Sequence, residues 1–283
     1  MGHIGIVTDS IGCIPAEFIK EHNIQIAPIG MVIDNQMYKD TELSNDEFWK
    51  LFFAVKKLPT TTGNTPANYF ACFTELAKST NEIVCLTLSG KLSNGYDCAI
   101  KAMELMKEEK PELNIKVIDT NTAMGAEGFV VMEVARAIQA GKTLHEIVQL
   151  ANNLIPRVKW IMAMDTLKYL VIGGRAPKTA ILAEVASIKP ITGMVSGSGK
   201  VDNLGRARGK QKAIKKVVEM IKEHTDTSKP LHVMVHYTTD IKRAEQLKAL
   251  VTSRYKCEEV HFTPFTPVMV VHTGPVIAVS FYS

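Results

Sequence analysis

Several short segments of this chain carry residue types that do chemistry, and each can be tested against the spacing that the chemistry demands. Gly90-Lys91-Leu92-Ser93 looks like the tail of a phosphate-cradling loop. Such a loop needs a glycine five positions before its second glycine and a hydroxyl residue directly after the lysine. Cys85 and Leu92 stand at those positions, so the match fails twice. No G-x-G-x-x-G follows an apolar run, so neither familiar nucleotide-binding route is present and no cofactor is expected. His232 and His236 stand four apart, a spacing that lets two imidazoles share a metal ion on a helix. The surrounding Leu231 to Tyr237 reads as a strand, over which four residues span roughly 13 Å, too far for one ion. No metal site is expected there. There is no G-x-S-x-G elbow. Ser93 and His272 can be written as a nucleophile and its base, a serine hydrolase or acyltransferase arrangement, but nothing in their spacing selects that pair.

The five cysteines, Cys13, Cys72, Cys85, Cys98 and Cys257, form no C-x-x-C pair, which argues against a zinc ribbon or a thioredoxin-type site. Their odd number, with no secretory leader in view, points to reduced thiols and a cytoplasmic protein. One basic cluster, Arg206, Arg208, Lys210, Lys212, Lys215 and Lys216, has two readings. It is either a solvated helix face with a basic loop before it, or a surface that meets anions or acidic lipid headgroups. The balance of 33 basic to 29 acidic residues gives only +4, and no aromatic residues interleave the cluster, so nucleic acid is not an expected partner.

The elements that must position these residues follow from hydrophobic periodicity. Ile4 to Ser10, Ile24 to Ile33, Glu82 to Leu88 and Ile115 to Asp119 are apolar runs that read as buried strands. Between them, Pro15 to His22, the stripe from Phe48 to Val55, Pro66 to Lys78 and Ser93 to Lys107 read as helices. Ala126 to Ala140 and Thr143 to Ile155 complete this set, the latter opening on a Thr143/Glu146 capping box. Pro59 to Pro66 reads as a loop. Unalternating apolar strands between helices are the pattern of a parallel sheet covered on both faces. From Lys159 the texture changes. Strands are expected at Lys159 to Met164, Leu231 to Tyr237, Val268 to Val271 and Val276 to Phe281. Helices are expected at Lys212 to His224 and Asp240 to Ser253. This half reads as a mixed sheet with helices on one face. A boundary near residue 158 divides the chain into 1–158 and 159–283.

At 283 residues the length suits two ordinary domains, and 46% hydrophobic with 22% charged residues is the composition of a soluble globular protein. No apolar run reaches the roughly 18 residues of a spanning helix. The unusual count is 13 methionines, flexible side chains suited to adaptable apolar walls. Met124, Met162, Met164 and Met194 are the candidates for such a wall.

Several segments taken in order carry a resemblance. They are Val7-Thr8-Asp9-Ser10, Pro59-Thr60-Thr61-Thr62, and Leu88-Ser89-Gly90-Lys91-Leu92-Ser93-Asn94-Gly95-Tyr96. Asp165-Thr166-Leu167-Lys168-Tyr169-Leu170 follows, leading to Gly173-Gly174-Arg175. Ile188-Lys189-Pro190-Ile191, Arg206-Ala207-Arg208 and His272-Thr273-Gly274-Pro275 complete the series. Over essentially the whole chain this order resembles the DegV family, the fatty-acid-binding proteins of bacterial fatty acid kinases. The resemblance implies two α/β domains: an N-terminal three-layer α/β/α domain with a parallel sheet and a C-terminal two-layer α/β domain with a mixed sheet. It places a long-chain fatty acid at or near their interface. It implies no enzyme activity of the isolated chain. A separate ATP-binding fatty acid kinase subunit would convert the bound carboxylate to an acyl phosphate for phospholipid synthesis.

Residue by residue, Thr61 and Ser93 match the family's ligand hydroxyls, and Thr62, Asn94 and Gly95 stand beside them. Arg175 and Arg208 match its two arginines, and His272, followed by Thr273, matches its terminal histidine. The physics agrees. A carboxylate drawn into an apolar site must keep its hydrogen bonds, and arginine grips carboxylate or phosphate with two parallel bonds. The sequence departs from the family pattern at Thr62-Gly63-Asn64, at Ser93-Asn94-Gly95-Tyr96 and at Val276.

Overall fold

The computed structural model describes residues 4–179 and 187–283. In chain order the first half contains strands β1 (Ile4–Asp9), β2 (Gln25–Ala27), β3 (Gly30–Ile33), β4 (Gln36–Lys39), β5 (Thr60–Gly63), β6 (Glu82–Thr87) and β7 (Asn114–Asp119). Its helices are α1 (Ala16–Glu21), α2 (Asn45–Ala54), α3 (Pro66–Leu76), α4 (Gly95–Glu109), α5 (Met124–Gln139) and α6 (Leu144–Leu154). The second half contains β8 (Lys159–Met164), β9 (Ile188–Met194), β10 (Asp202–Arg208), β11 (Leu231–Tyr237), β12 (Cys257–Pro264) and β13 (Val276–Tyr282). Helices α7 (Lys168–Ile172), α8 (Lys210–His224), α9 (Ile241–Arg254) and α10 (Pro267–Thr273) accompany them.

The first sheet has the order β2-β1-β6-β7 with every pair parallel. Side chains alternate across a strand, and here both faces are apolar. Val84 and Leu86 of β6 pack with the α5 and α6 side, while Ile83 and Cys85 pack with Tyr69, Phe73 and Cys98 of α3 and α4. Two helix layers therefore cover one parallel sheet. Three helices begin on reciprocal side-chain caps, Ser44 with Glu47, Thr65 with Asn68 and Thr143 with Glu146. Each such cap stabilises its helix start by about 1 kcal/mol.

The second sheet has the order β10-β9-β8-β13-β11-β12 and is mixed, with β11 and β12 parallel and the other pairs antiparallel. On β8, Ile161 and Ala163 face α8 and α9, whereas Trp160, Met162 and Met164 face the opposite side and join the core that surrounds α5. One face of this sheet is thus closed by its own helices and the other by the first half of the chain. The approach is tight: a Cβ on Gly125 of α5 would overlap His236 Nε2 and Met234 Sδ of β11. A polar network seals the same junction. Glu259 of β12 accepts from both guanidinium nitrogens of Arg136 on α5, at 3.0 and 2.6 Å, and pairs with His232 and His261 at 2.8 and 2.9 Å. Burial alone would raise the Glu259 carboxyl, but these partners hold it well below the usual carboxylate range.

Four expectations from sequence are corrected. Ile24 to Ile33 is two short strands in two sheets, interrupted at Pro28, which lacks a ladder donor. Thr60–Gly63, expected as loop, pairs with β3 in a small sheet of order β4-β3-β5. Val268 to Val271, expected as strand, lies in helix α10, with Pro267 in its first turn. The helix expected from Ser93 begins at Gly95, with Asn94 as its N-cap residue. Among the described residues no helix is long and apolar enough to cross a membrane.

Candidate functional site

A cavity of about 230 Å³ opens where the two sheets' layers meet, lined by residues of both halves of the chain. Its inner walls are buried and apolar, including Ile11, Leu88, Trp160, Met162, Leu170 and Val268. Of its polar residues, Thr61, Thr62, Ser93, Asn94, Arg175 and His272 are half-buried or exposed and lie at the accessible end, while Thr273 is buried. An apolar cavity with polar groups gathered at its accessible end fits an amphipathic ligand with one polar head.

The head-group residues arrive on separate elements. Thr61 is held in β5 opposite Met31 of β3. His272 comes from α10, and its Nε2 lies 3.0 Å from Thr61 Oγ1. Its Nδ1 is buried without a partner against Gly173, where a Cβ would overlap that nitrogen. Only glycine at 173 leaves room for the ring. Burial first, and the positive charge of Arg175 second, push the His272 imidazole down to about 4, so it is neutral at pH 7. In the Nε2–H tautomer it donates to Thr61 Oγ1 and frees the threonine O–H to donate into the cavity.

Arg175 folds back on the same cluster. Its guanidinium donates to the Gly173 carbonyl and, at 3.1 Å, to the Leu92 carbonyl beside Ser93. Among the described residues no carboxylate pairs with it, and burial lowers its pKa from the ordinary arginine value. A half-buried cation with no anionic partner in a cavity mouth favours an anionic ligand. Ser93 lines the cavity, and its backbone N–H donates to Ser89 O at 3.2 Å. Its hydroxyl makes no hydrogen bond to His272, whose Nε2 is engaged by Thr61 and whose Nδ1 is unpartnered, so no Ser93–His272 dyad is formed.

The family model described as "Uncharacterised protein, DegV family" matches residues 3–283. The chain belongs to the DegV family. The DegV domain-containing protein YteA of Lactococcus lactis is 29% identical over 272 residues, covering 95% of this chain and 93% of that protein. The DegV domain-containing protein SPs1668 of Streptococcus pyogenes is 30% identical over 274 residues, covering 95% and 94%. Among solved structures, the fold matches a DegV family protein of Thermus thermophilus described by its fatty acid binding, with TM-score 0.90, 23% identity and 99% of each chain covered. It also matches a stearic-acid-binding protein of Eubacterium ventriosum, with TM-score 0.87, 23% identity and coverage of 100% and 98%. A third match is a DegV family protein of Eubacterium eligens loaded with heptadecanoic acid, with TM-score 0.88, 18% identity and 99% of each chain covered. At these identities the likeness shows the two-domain DegV fold.

The site residues implied by the DegV resemblance fall in three places. Thr61, Thr62, Ser93, Asn94, Arg175, His272 and Thr273 all line the cavity. Asn94 Nδ2 donates to Asn64 O at 3.4 Å, and Thr273 Oγ1 donates to Met269 O at 3.1 Å, so both also fix local backbone. Gly95 is buried at the start of α4 and does not line the cavity. Arg208 is exposed on edge strand β10 and lines no part of it, because it pairs with Ile188 at the outer margin of the second sheet. Of the four methionines named from sequence, Met162 lines the cavity, while Met124, Met164 and Met194 are buried core that does not. Met269, on α10, lines it and was not singled out. Nor was Trp160; its alternation with Ile161 on β8 was the available signal, but it does not say which face meets a cavity.

Proposed function

We propose that this protein binds a long-chain fatty acid with its acyl chain between Trp160, Met162 and the walls around them, and its carboxylate at Thr61, Ser93 and Arg175. His272 orients the Thr61 hydroxyl. The observation that carries this reading is the acid-free Arg175 beside the Thr61–His272 pair at the open end of an apolar cavity. The fatty acids described in the related DegV structures support it. Each buried methylene contributes about 0.8 kcal/mol, so the chain supplies affinity and the head group supplies orientation. In this reading the chain is a carrier with domains 1–158 and 159–283, working in the cytoplasm. A separate ATP-binding kinase subunit phosphorylates the presented carboxylate, and the acyl phosphate enters phospholipid synthesis. The exposed basic stretch at Arg206, Arg208, Lys210, Lys212 and Lys215 supports transient contact with anionic membrane surfaces during loading.

The test is titration of delipidated protein with a long-chain fatty acid, the alcohol of equal length and its methyl ester. Tight binding of the acid and at least roughly tenfold weaker binding of the other two is expected from the loss of one charged hydrogen-bonded contact. Equal binding of all three would refute a carboxylate site.

A further inference from the structure

Between β9 and β10 the chain makes a loop, residues 195–201, that leaves the second half and lands on the first. It lands on two loops that follow strands of the parallel sheet. Ser89, between β6 and α4, donates its hydroxyl to the Gly199 carbonyl at 2.7 Å. Asn121, between β7 and α5, donates from Nδ2 to the Gly197 carbonyl at 2.5 Å. The contact is close. A Cβ on Gly199 would lie 2.2 Å from Asn121 Oδ1 and 2.7 Å from Ser89 Oγ.

The two sides of this contact are held differently. On the first half, Asp119 joins both loops, accepting from Asn121 N at 2.7 Å and Gly90 N at 3.1 Å. Ser89 is fully buried; its carbonyl accepts from Leu92 N and Ser93 N, and its N–H donates to Thr122 O. The β9–β10 loop is held mainly to itself. Asp202 accepts from Val195 N, Ser196 N and Ser196 Oγ at 2.8–3.0 Å, and Ser198 Oγ accepts from Lys200 N at 3.2 Å. Its tip, Ser196, Gly197 and Ser198, is exposed and buries no apolar side chain. Exposed segments with few buried contacts open locally at low free energy.

The loop also closes the ligand cavity. Its last residue, Val201, lines that cavity, as do Leu88 beside Ser89 and Ala123 just beyond Asn121. The seam between the loop and the first half is therefore a seam in the apolar wall. The polar end is bridged by Arg175, which donates to the Leu92 carbonyl. A long chain entering end-on must pass that bridge, whereas a chain entering through the seam meets apolar side chains.

We propose that the β9–β10 loop is a strap that gates the cavity, latched by Ser89 and Asn121, and that its release sets the rate at which ligand exchanges. What passes the gate rests on the fatty-acid reading above. Lifting the strap breaks two hydrogen bonds that water replaces, so the net cost is small. It leaves intact the Arg136–Glu259 pairing, which joins the two halves at the far end of α5.

The test is stopped-flow binding of a dibrominated stearate to the full, delipidated chain, read as quenching of Trp160, which lines the cavity. Ser89→Ala leaves the Gly199 carbonyl buried and unpaired in the closed strap. Asn121→Asp turns an oxygen toward the Gly197 carbonyl, and aspartate tolerates the φ of +51° at that position. In each variant association and release should both accelerate by about tenfold, with Kd within about threefold of the parent, because a gate alters the path and not the end states. Without ligand, hydrogen exchange at the buried Gly199 amide should accelerate in step. Either variant carries the test if the other fails to fold. Unchanged rates, in a parent that binds the acid, would overturn the proposal, and so would a change in Kd without faster association. If the parent binds no fatty acid, the lipid reading falls and hydrogen exchange decides the strap: an unaltered Gly199 amide overturns it.

Discussion

Replacing Thr61 by valine changes one group and leaves the shape of the cavity mouth nearly intact. The hydroxyl lies 3.0 Å from His272 Nε2, and the other ring nitrogen of His272 is buried without a partner. The substitution therefore has two consequences. With His272 neutral, the pair presents one O–H donor to an anion, and valine removes it. A hydrogen bond to a charged group is worth about 1.5–3 kcal/mol, which corresponds to a Kd raised about 10- to 150-fold. The imidazole also loses its remaining partner, at a cost to stability of about 1–3 kcal/mol. Thr61→Ser keeps the hydroxyl and should bind within a few-fold of the parent. Calorimetric titration of delipidated protein with palmitate measures the first effect, and denaturant unfolding measures the second. If Thr61→Val binds palmitate as tightly as Thr61→Ser, the hydroxyl does not touch the carboxylate and the head-group assignment is wrong.

Three further outcomes are expected. Arg175→Met keeps the length of the side-chain stem but removes the charge, so acid and alcohol of equal chain length should bind within about threefold of each other. Persistence of the parent's preference for the acid would place the charge recognition elsewhere. Across a series of fatty acids, Kd should fall about fourfold per added methylene until the cavity is filled, and then level off; a flat series would show that the chain is not buried. Asp40, with a folded-state value near 6 against 3.8 in a free chain, binds more protons folded than unfolded between about pH 4 and 6. Stability should therefore fall as pH rises through that window, by on the order of 2–3 kcal/mol for this group. His272 acts with the opposite sign, because its value is lowered to about 4: its contribution to stability is lost as pH falls below about 6.5. Denaturant midpoints for the parent and Asp40→Asn separate the two, and an unchanged slope in the variant would contradict the assignment to Asp40.

Much of the fold was legible because burial on both faces leaves continuous apolar runs. Strands β1, β6, β7 and β8 stand near their expected positions for that reason. Half-exposed edge strands leave no such trace. Asp202–Arg208 and Cys257–Pro264 lie at the two margins of the second sheet, where partial exposure breaks the apolar pattern. The valine run in α10 has strand propensity, but packing decided otherwise. As a helix it buries Val268, Val270 and Val271 while bringing Met269 and His272 to the cavity. The site itself was legible only through family resemblance. Thr61 and His272 are 211 residues apart in sequence, and no spacing rule joins them. Gly-Gly-Arg became intelligible in three dimensions, where Gly173 makes room for the imidazole and Arg175 reaches back to the Ser93 loop. The two arginines implied by the resemblance look alike in sequence, and only the fold separates Arg175 at the cavity from Arg208 on the outer edge.

The central claim is that the cavity holds a fatty acid by its carboxylate. It is tested most directly by purifying the protein without detergent, extracting it with organic solvent and identifying the released lipid by mass spectrometry. A near-stoichiometric long-chain fatty acid is expected from the parent protein, and far less from a Thr61→Val, Arg175→Met double variant. No extractable fatty acid from the parent, together with no binding on titration, would contradict it.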